Sequence, residues 1–475
     1  MSTISQRHAA GFVQFEPVRH AKFSINFLTE MTDPNFGHLP YGVVVPFNNP
    51  PFAEHNRVDD AELVASWYEG LSCVREMVGT KQGEEVEAAL FDKLLNEGWD
   101  EKSKLRFPVR RPWSGPVDYC MIPEMATVLS ALNRATELYP KNKLVAKRAS
   151  ELVQGLRKLV VENKVRAASI GIADNPELCY SFPTDVYVLD KGFRHEINSG
   201  FSDWVMRYSV LITPLVKRFI LTKDEDAFDL AMGLANNFAT ISHHLTNRNE
   251  FSGQVHSAIW TASGLIRLGR LTGQDRYIAK GKGLYDYVRR NSSAFGWIPE
   301  YMQWQLMADE RCDARCIKDM MECALELVDC GFPEYWDDLH RFWRNHMAES
   351  QLTDTEFIRK LKKAPETVQR TFQNMPTRML GGFFGGSAPN SMLLSRYNSI
   401  STSASAIAPQ GMLMAWRRAI ELVHGNLIVN FPVNCENDAA KVTVGYPNEG
   451  SIRIELKKSS RVIVRVFPWM PAPHE

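Results

Sequence analysis

Between residues 60 and 348 apolar side chains recur at three- and four-residue steps, the spacing of a helix that buries one face. Ten segments carry this pattern, at 60–78, 83–97, 118–136, 141–163, 200–221, 225–245, 254–271, 275–292, 310–328 and 334–348, and a last long helix fits 402–424. The helices fall in pairs whose joints resemble one another. LYPKNKLVAKRASELV from Leu138, LTKDEDAFDLAMGLAN from Leu221 and LTGQDRYIAKGKGLYD from Leu271 each run from an apolar residue through a short polar turn into a new amphipathic helix. The interval from Leu221 to Leu271 is 50 residues, and from Leu271 to the similar joint at Leu327 it is 56. A recurring period near 50 marks a repeated helical hairpin. Five hairpins and one unpaired helix make about six.

The first helix of each pair is the more apolar. HSAIWTASGLIRL (256–268) and PEMATVLSAL (123–132) offer little polar surface on any side, whereas the second helices carry charged stripes. A helix apolar all round is buried and one with a charged stripe lies outside. The expected architecture is therefore an all-α (α/α)6 toroid, with first helices as an inner ring and second helices as an outer ring. An open α-solenoid is the alternative, but its repeats would be more uniform. The loops at 98–117, 164–199, 293–309 and 350–400 are long.

The ends of the chain read differently. Residues 1–58 are rich in Pro, Gly and Asn (PYGVVVPFNNPPF) and read as extended segments and loops packed on the barrel, which spans 59–424. From 425 to 475 the period changes to two: NLIVNF, KVTVGY, SIRIEL and RVIVRVF alternate apolar and polar residues, a small antiparallel β unit of about four strands.

Composition narrows the functions. The chain has 475 residues, with 55 Lys+Arg balanced by 55 Asp+Glu. A nucleic-acid binder carries a basic excess, and none is present. The start MSTISQRHAAGFVQFEP lacks the apolar core of a secretory signal, and no window nears the roughly 18 apolar residues of a membrane span. These features and 8 cysteines without a disulfide-like spacing lead us to expect thiols and a cytoplasmic location, with no membrane partner. Aromatic residues make up 11%, including 11 Trp, which suits either a large helical core or a carbohydrate cleft.

In a toroid the inner helices start at one end, so their N-termini converge on a funnel, the default pocket. Asp59 and Asp60 open the first inner helix, Asp118, Tyr119 and Glu124 the second, Asp203 and Trp204 the third, and His256 the fourth. Each Asp could equally be a helix N-cap, and His256 a packing residue. The fifth opens with Glu310-Arg311-Cys312-Asp313, followed by Cys316. Glu310 and Cys312 could bind a metal if further ligands came from elsewhere, or Cys312 could be an inert buried thiol. Glu300 lies among Trp297, Tyr301 and Trp304, and aromatic surroundings disfavour its ionised form, as a general acid requires. Glycoside hydrolysis needs two carboxyl groups; Glu300 pairs with Glu310, or with Asp203 or Asp60. The Gly-rich loop 381–390, followed by Arg396 and Tyr397, reads as a lid or a linker.

The order of these features resembles the bacterial beta-L-arabinofuranosidase family of glycoside hydrolases. DYCMIPEMATVLSALNRAT is similar to that family's second inner helix, GQVHSAIWTASGLIRLGRLTGQDRY to its fourth, and ADERCDARCIKDM to its Glu-x-Cys segment. GNLIVNF, GYPNEGSIRIEL and VIVRVFPW look like its first strands after the barrel. The resemblance implies an (α/α)6 barrel, a pocket histidine at His256, an acid/base near Glu300 and a zinc ion held in part by Glu310 and Cys312. The family's Cys-Cys pair, which supplies further zinc ligands and the nucleophile, falls at STSASAIAPQ (401–410), where no cysteine stands. Zinc therefore has half its ligand set. The expected function is a glycosidase acting on a small oligosaccharide or glycoside. The alternatives are another sugar-active enzyme on the same toroid, a lyase or epimerase, or a carbohydrate-binding or scaffold protein without activity.

Overall fold

The computed structural model describes residues 14–56, 60–166, 176–194, 203–241, 245–303, 310–358, 362, 364–388 and 399–470. Fourteen α-helices lie among them: α1 (Pro17–Glu30), α2 (Asp60–Val78), α3 (Glu84–Asn96), α4 (Ile122–Leu138), α5 (Lys143–Leu159), α6 (Trp204–Tyr208), α7 (Ile212–Thr222), α8 (Glu225–Asn236), α9 (Val255–Thr272), α10 (Asp275–Arg290), α11 (Ala314–Asp329), α12 (Tyr335–Phe342), α13 (Met375–Met379) and α14 (Thr402–Arg417).

Six of these form a closed ring. α2 packs on α4, α4 on α7, α7 on α9, α9 on α11, α11 on α14, and α14 returns to α2. Around them lie the charged partners α3, α5, α8, α10 and α12, each in contact with the inner helix before it. The fold is the (α/α)6 toroid. Polar turns start the outer helices as the joints imply: Asn142 accepts from the N–H groups of Leu144 and Val145, and Asp224 from that of Ala227. Gly273 ends α9 in the left-handed conformation at φ 69°.

The expectation for the N-terminal segment needs correction. Pro17–Glu30 is a helix rather than extended chain, and it packs against both α2 and α14. It is the sixth outer helix, the partner that α14 lacks downstream. Pro17 presets the first turn, and Ala21, Ile25 and Leu28 bury one face at helical spacing. The proline- and glycine-rich composition of its neighbours hid this short helix. Val43–Val45 and Phe52–Glu54 are short strands, joined in one five-stranded sheet by Arg370–Thr371, Phe383–Phe384 and Ile400–Ser401.

The last inner helix stops at Arg417, short of the expected 424, because Ile420–Val423 turns back and pairs with Asn426–Val429. The C-terminal unit holds two three-stranded sheets. It is antiparallel apart from one pair, Asn426–Val429 with Arg461–Val464, which runs parallel. None of the described helices is long and apolar enough to cross a membrane.

Ring closure brings backbones close. A Cβ on Gly70 of α2 would lie 2.1 Å from the Ala406 carbonyl oxygen of α14, and one on Gly264 of α9 would lie 2.7 Å from the Thr213 nitrogen of α7. Gly70→Ala must push the first and last inner helices apart, and overpacking of this kind costs about 1–3 kcal/mol. Calorimetry should show a lowered Tm for Gly70→Ala and none for Gly450→Ala, where the added carbon meets nothing within 4 Å.

Candidate active site

The inner helices all begin at the same end of the ring, and a cavity of about 540 Å³ opens there. Glu62 of α2, Glu124 and Thr127 of α4, His256 and Trp260 of α9, Arg315 of α11 and Thr402 of α14 line it, so five of the six ring helices contribute from their first turns. Arg207 of α6 and the connecting segments that carry Glu300, Tyr301, Arg311 and Asp313 complete the wall.

Glu300 sits where two backbone ties meet. Its carbonyl accepts from the Val255 N–H at 2.9 Å, and its own N–H donates to the Arg311 carbonyl at 2.8 Å. Gly253–Gln254 and Tyr301–Met302 pair as a short antiparallel ladder beside it. This ladder places Glu300 next to the start of α9, and hence beside His256. The carboxyl is 4% exposed, and its Oε2 forms an ion pair with Arg311 Nε at 2.5 Å. Arg315 Nη2 stands 4.0 Å from Oε1, while the same guanidinium makes two contacts of 3.1 and 3.2 Å to Asp313. Burial and the neighbouring Asp313 charge push the Glu300 carboxyl up to about 7, against the opposing pull of Arg311, Arg315 and the Tyr301 hydroxyl. A carboxyl near 7 is populated in both protonation states at neutral pH, the condition for a general acid–base.

His256 is held as firmly. Its Nδ1 contacts Asp319 Oδ2 of α11 at 2.5 Å, and its ring stacks on Trp260 with centroids 5.5 Å apart. Asp319 is fully buried and is balanced by Lys318 Nζ at 2.7 Å, which also reaches Glu322 at 3.2 Å and lies 4.9 Å from the centre of the Trp260 ring. A carboxylate on Nδ1 fixes the tautomer that leaves Nε2 as the basic nitrogen.

Of the residues nominated from sequence, Glu300, His256 and Glu124 line the cavity. Others do not. Glu310 is exposed on a turn outside it. Asp203 spends its carboxylate as the N-cap of α6, accepting from the Val205 N–H at 2.7 Å, and Trp204 beside it is 46% exposed. Asp118 is exposed and Tyr119 is half-buried in a strand pair with Val188, both off the cavity. Trp297 is buried in the core, where its indole N–H donates to the Ser387 carbonyl. Asp60 is the first residue of α2; its side chain, Asp59, Trp304, Arg396 and Tyr397 lie outside the described residues. Of the Gly-rich loop, the described part 381–388 holds the sheet strand Phe383–Phe384, lines the cavity with Gly385 and pairs Ser387 with Cys312 through the backbone, while 389–390 lie outside the described residues.

No protein-family model matches this chain, and no curated protein matches it. Solved structures do. A D-mannose isomerase superposes with a TM-score of 0.57 at 12% identity, covering 83% of this chain and 96% of its own. A cellobiose 2-epimerase from Bacillus thermoamylovorans gives 0.56 at 9%, covering 84% and 99%. A beta-L-arabinofuranosidase from Geobacillus stearothermophilus gives 0.54 at 11%, covering 95% and 69%. The protein shares their six-hairpin toroid.

The zinc pair implied by the resemblance does not fit these residues. Glu310 is exposed while Cys312 is fully buried in the core, so the two side chains do not face one site. Among the described residues no group of three or more His, Cys, Asp and Glu is placed to hold a metal ion.

Arg311, Asp313 and Arg315 were passed over in the sequence although they stand beside the nominated pair. Residues 311–313 run nearly extended, so alternate side chains face opposite ways. The cavity receives 311 and 313, while 312 turns into the core. Asp319 and Lys318 had a signal too: two adjacent charges in the middle of an inner helix require buried partners.

Removing one member of the Asp313–Arg315 pair leaves a buried charge without its counterion, which costs about 3–5 kcal/mol. Asp313→Asn should lower the Tm by several degrees in thermal unfolding, whereas Glu310→Gln should leave it unchanged.

Proposed function

We propose that the protein is an enzyme that moves a proton between adjacent carbons of a neutral reducing sugar, as an aldose–ketose isomerase or a 2-epimerase does. One observation carries this reading: two proton carriers, the Asp319-held His256 and Glu300, line the same cavity. Of the carboxyl groups nominated as hydrolytic partners for Glu300, those of Glu310 and Asp203 are not among the lining residues, and the side chain of Asp60 lies outside the described residues. The isomerase and epimerase that superpose over nearly their whole length lend support.

The charge of the cavity points to a neutral substrate. Each of its three arginines is committed to a carboxylate: Arg207 to Asp185, Arg311 to Glu300 and Arg315 to Asp313. Glu62 and Glu124 add further negative charge to the wall. A uronate or sugar phosphate would have to displace one of these anions from its guanidinium.

In this reading His256 Nε2 takes the proton from carbon 2 of the open-chain sugar while protonated Glu300 gives one to the carbonyl oxygen, forming an enediol. Return of the first proton to carbon 1 and recovery of the other by Glu300 from the carbon-2 hydroxyl yields the ketose and restores both groups. Delivery of a proton to carbon 2 from the opposite face by a second acid of the wall, with Glu300 recovering its proton from the carbon-1 hydroxyl, yields the epimer; it leaves His256 protonated and that acid ionised, and a proton passed from one to the other completes the cycle. Arg311 stays paired with Glu300 in its ionised form, and Asp319 stabilises the imidazolium.

Glycoside hydrolysis remains the second reading, because the elevated Glu300 suits a leaving-group acid and Glu62 and Glu124 share its cavity. Product analysis separates the two. With D-mannose and cellobiose among a panel of neutral sugars, isomerised or epimerised product should form with the glycosidic bond intact. Release of aglycone from aryl glycosides, with reducing sugars unchanged, would overturn the proposal. His256→Asn should lower kcat by roughly 10²–10⁴.

The pH profile gives a further check. The wild-type rate should fall as pH rises through about 7, because the acid form of Glu300 is lost there. Glu300→Gln should lower kcat and abolish that alkaline limb; an unchanged limb in this variant would exclude Glu300 as the acid.

A further inference from the structure

Behind the candidate active site the axis of the ring is polar, although six helices could close it with aliphatic side chains. Two small cavities continue the main one along the axis. The first, about 10 Å³, shares His256 and Trp260 with the active-site cavity. The second, about 60 Å³, shares Glu69, Ser130, Trp260 and Gln410 with the first. At its far end the second cavity reaches Lys217 and the exposed Arg417, on the opposite face of the toroid.

These spaces suit water. A cavity needs about 10–15 Å³ and two to four polar partners to hold one molecule, so the first accommodates about one water and the second a short file. Glu69 supplies the demand. It is 4% exposed, its Oε1 accepts from the Ser130 hydroxyl at 3.0 Å, and its buried Oε2 has no protein hydrogen-bond partner. An unmet carboxyl oxygen lining both cavities calls for water.

We propose that the ring axis is a water-filled proton conduit, in which Glu69, Ser130 and Gln410 hold a file of buried water connecting the His256–Asp319 pair to solvent at the face opposite the active-site mouth. A sugar seated in the mouth closes the front route, and the conduit then lets the imidazole exchange protons with bulk water from behind. Burial raises the Glu69 carboxyl above its ordinary range against the pull of Lys217, Ser130, Lys318 and Arg134. The inference builds on the reading of His256 as a proton carrier, but its test needs no substrate.

The proton on His256 Nδ1 should give a far-downfield NMR signal, assigned by its loss in His256→Asn and followed with D-mannitol, a non-reducing sugar alcohol, filling the mouth so that the front route is closed. Its exchange with water is measured by saturation transfer. Gln410→Met keeps the side-chain length and removes the polar atoms; it should slow exchange by roughly an order of magnitude while the Tm stays near wild type. Ser130→Ala, a smaller change, should slow it in the same direction. Exchange as fast in both variants as in wild type would overturn the conduit, as would a high-resolution crystal structure with no water at Glu69 Oε2. Loss of sugar turnover in His256→Asn tests the enzymatic reading separately, so the two can fail independently.

Discussion

Everything in this molecule depends on six helices closing into one ring with a common direction. That constraint is met by contact between the first inner helix and the last, where Gly70 lets the α2 backbone approach Ala406 of α14. With the ring closed, the N-termini gather at one mouth, each turning the positive end of its dipole toward it. A polar cavity there follows from topology before any side chain is chosen. The side chains then decide what it does.

What they do is pair buried charge unequally, so that one carboxyl, Glu300, is left with less support than the others. Arg311 and Arg315 together face Glu300 and Asp313, two cations for two carboxyls. Asp313 is held by Arg315 and caps α11 through the Arg315 N–H, so its charge has strong local support. Glu300 shares what remains and rises toward neutrality. The same division occurs on the α9–α11 side: Lys318 satisfies Asp319, Asp319 holds His256, and Arg267 reaches Glu322 and Glu326 one and two turns further along. A continuous line of ion pairs thus anchors the imidazole from below.

The sequence made the helical ring legible because hairpin periodicity and the contrast between apolar and charged helices are repeated signals, each independent of fine geometry. The same redundancy located the mouth, and with it His256, Glu124 and Glu300. Elsewhere the signal was single or ambiguous. Asp203 looks the same in sequence whether it serves a substrate or its own helix cap. Glu310 and Cys312 were chosen over Arg311 and Asp313 by a one-residue difference of facing in an extended segment, which apolar patterning does not resolve when every residue is polar or a cysteine. The pairing of His256 with Asp319 spans 63 positions, and only packing of α9 against α11 brings it about. The N-terminal helix was missed because one short amphipathic stretch carries little statistical weight beside its proline-rich neighbours.

That helix also bears on how the chain folds. α1 rests in the groove between α2 and α14, whose first residues, Asp60 and Thr402, lie 342 positions apart. During synthesis its apolar side has only half a berth until the C-terminal helix leaves the ribosome. The toroid is therefore assembled like a clasp, fastened last where the two ends of the sequence meet. A break in α1 would loosen the seam between α2 and α14, from which Glu62 and Thr402 reach the mouth.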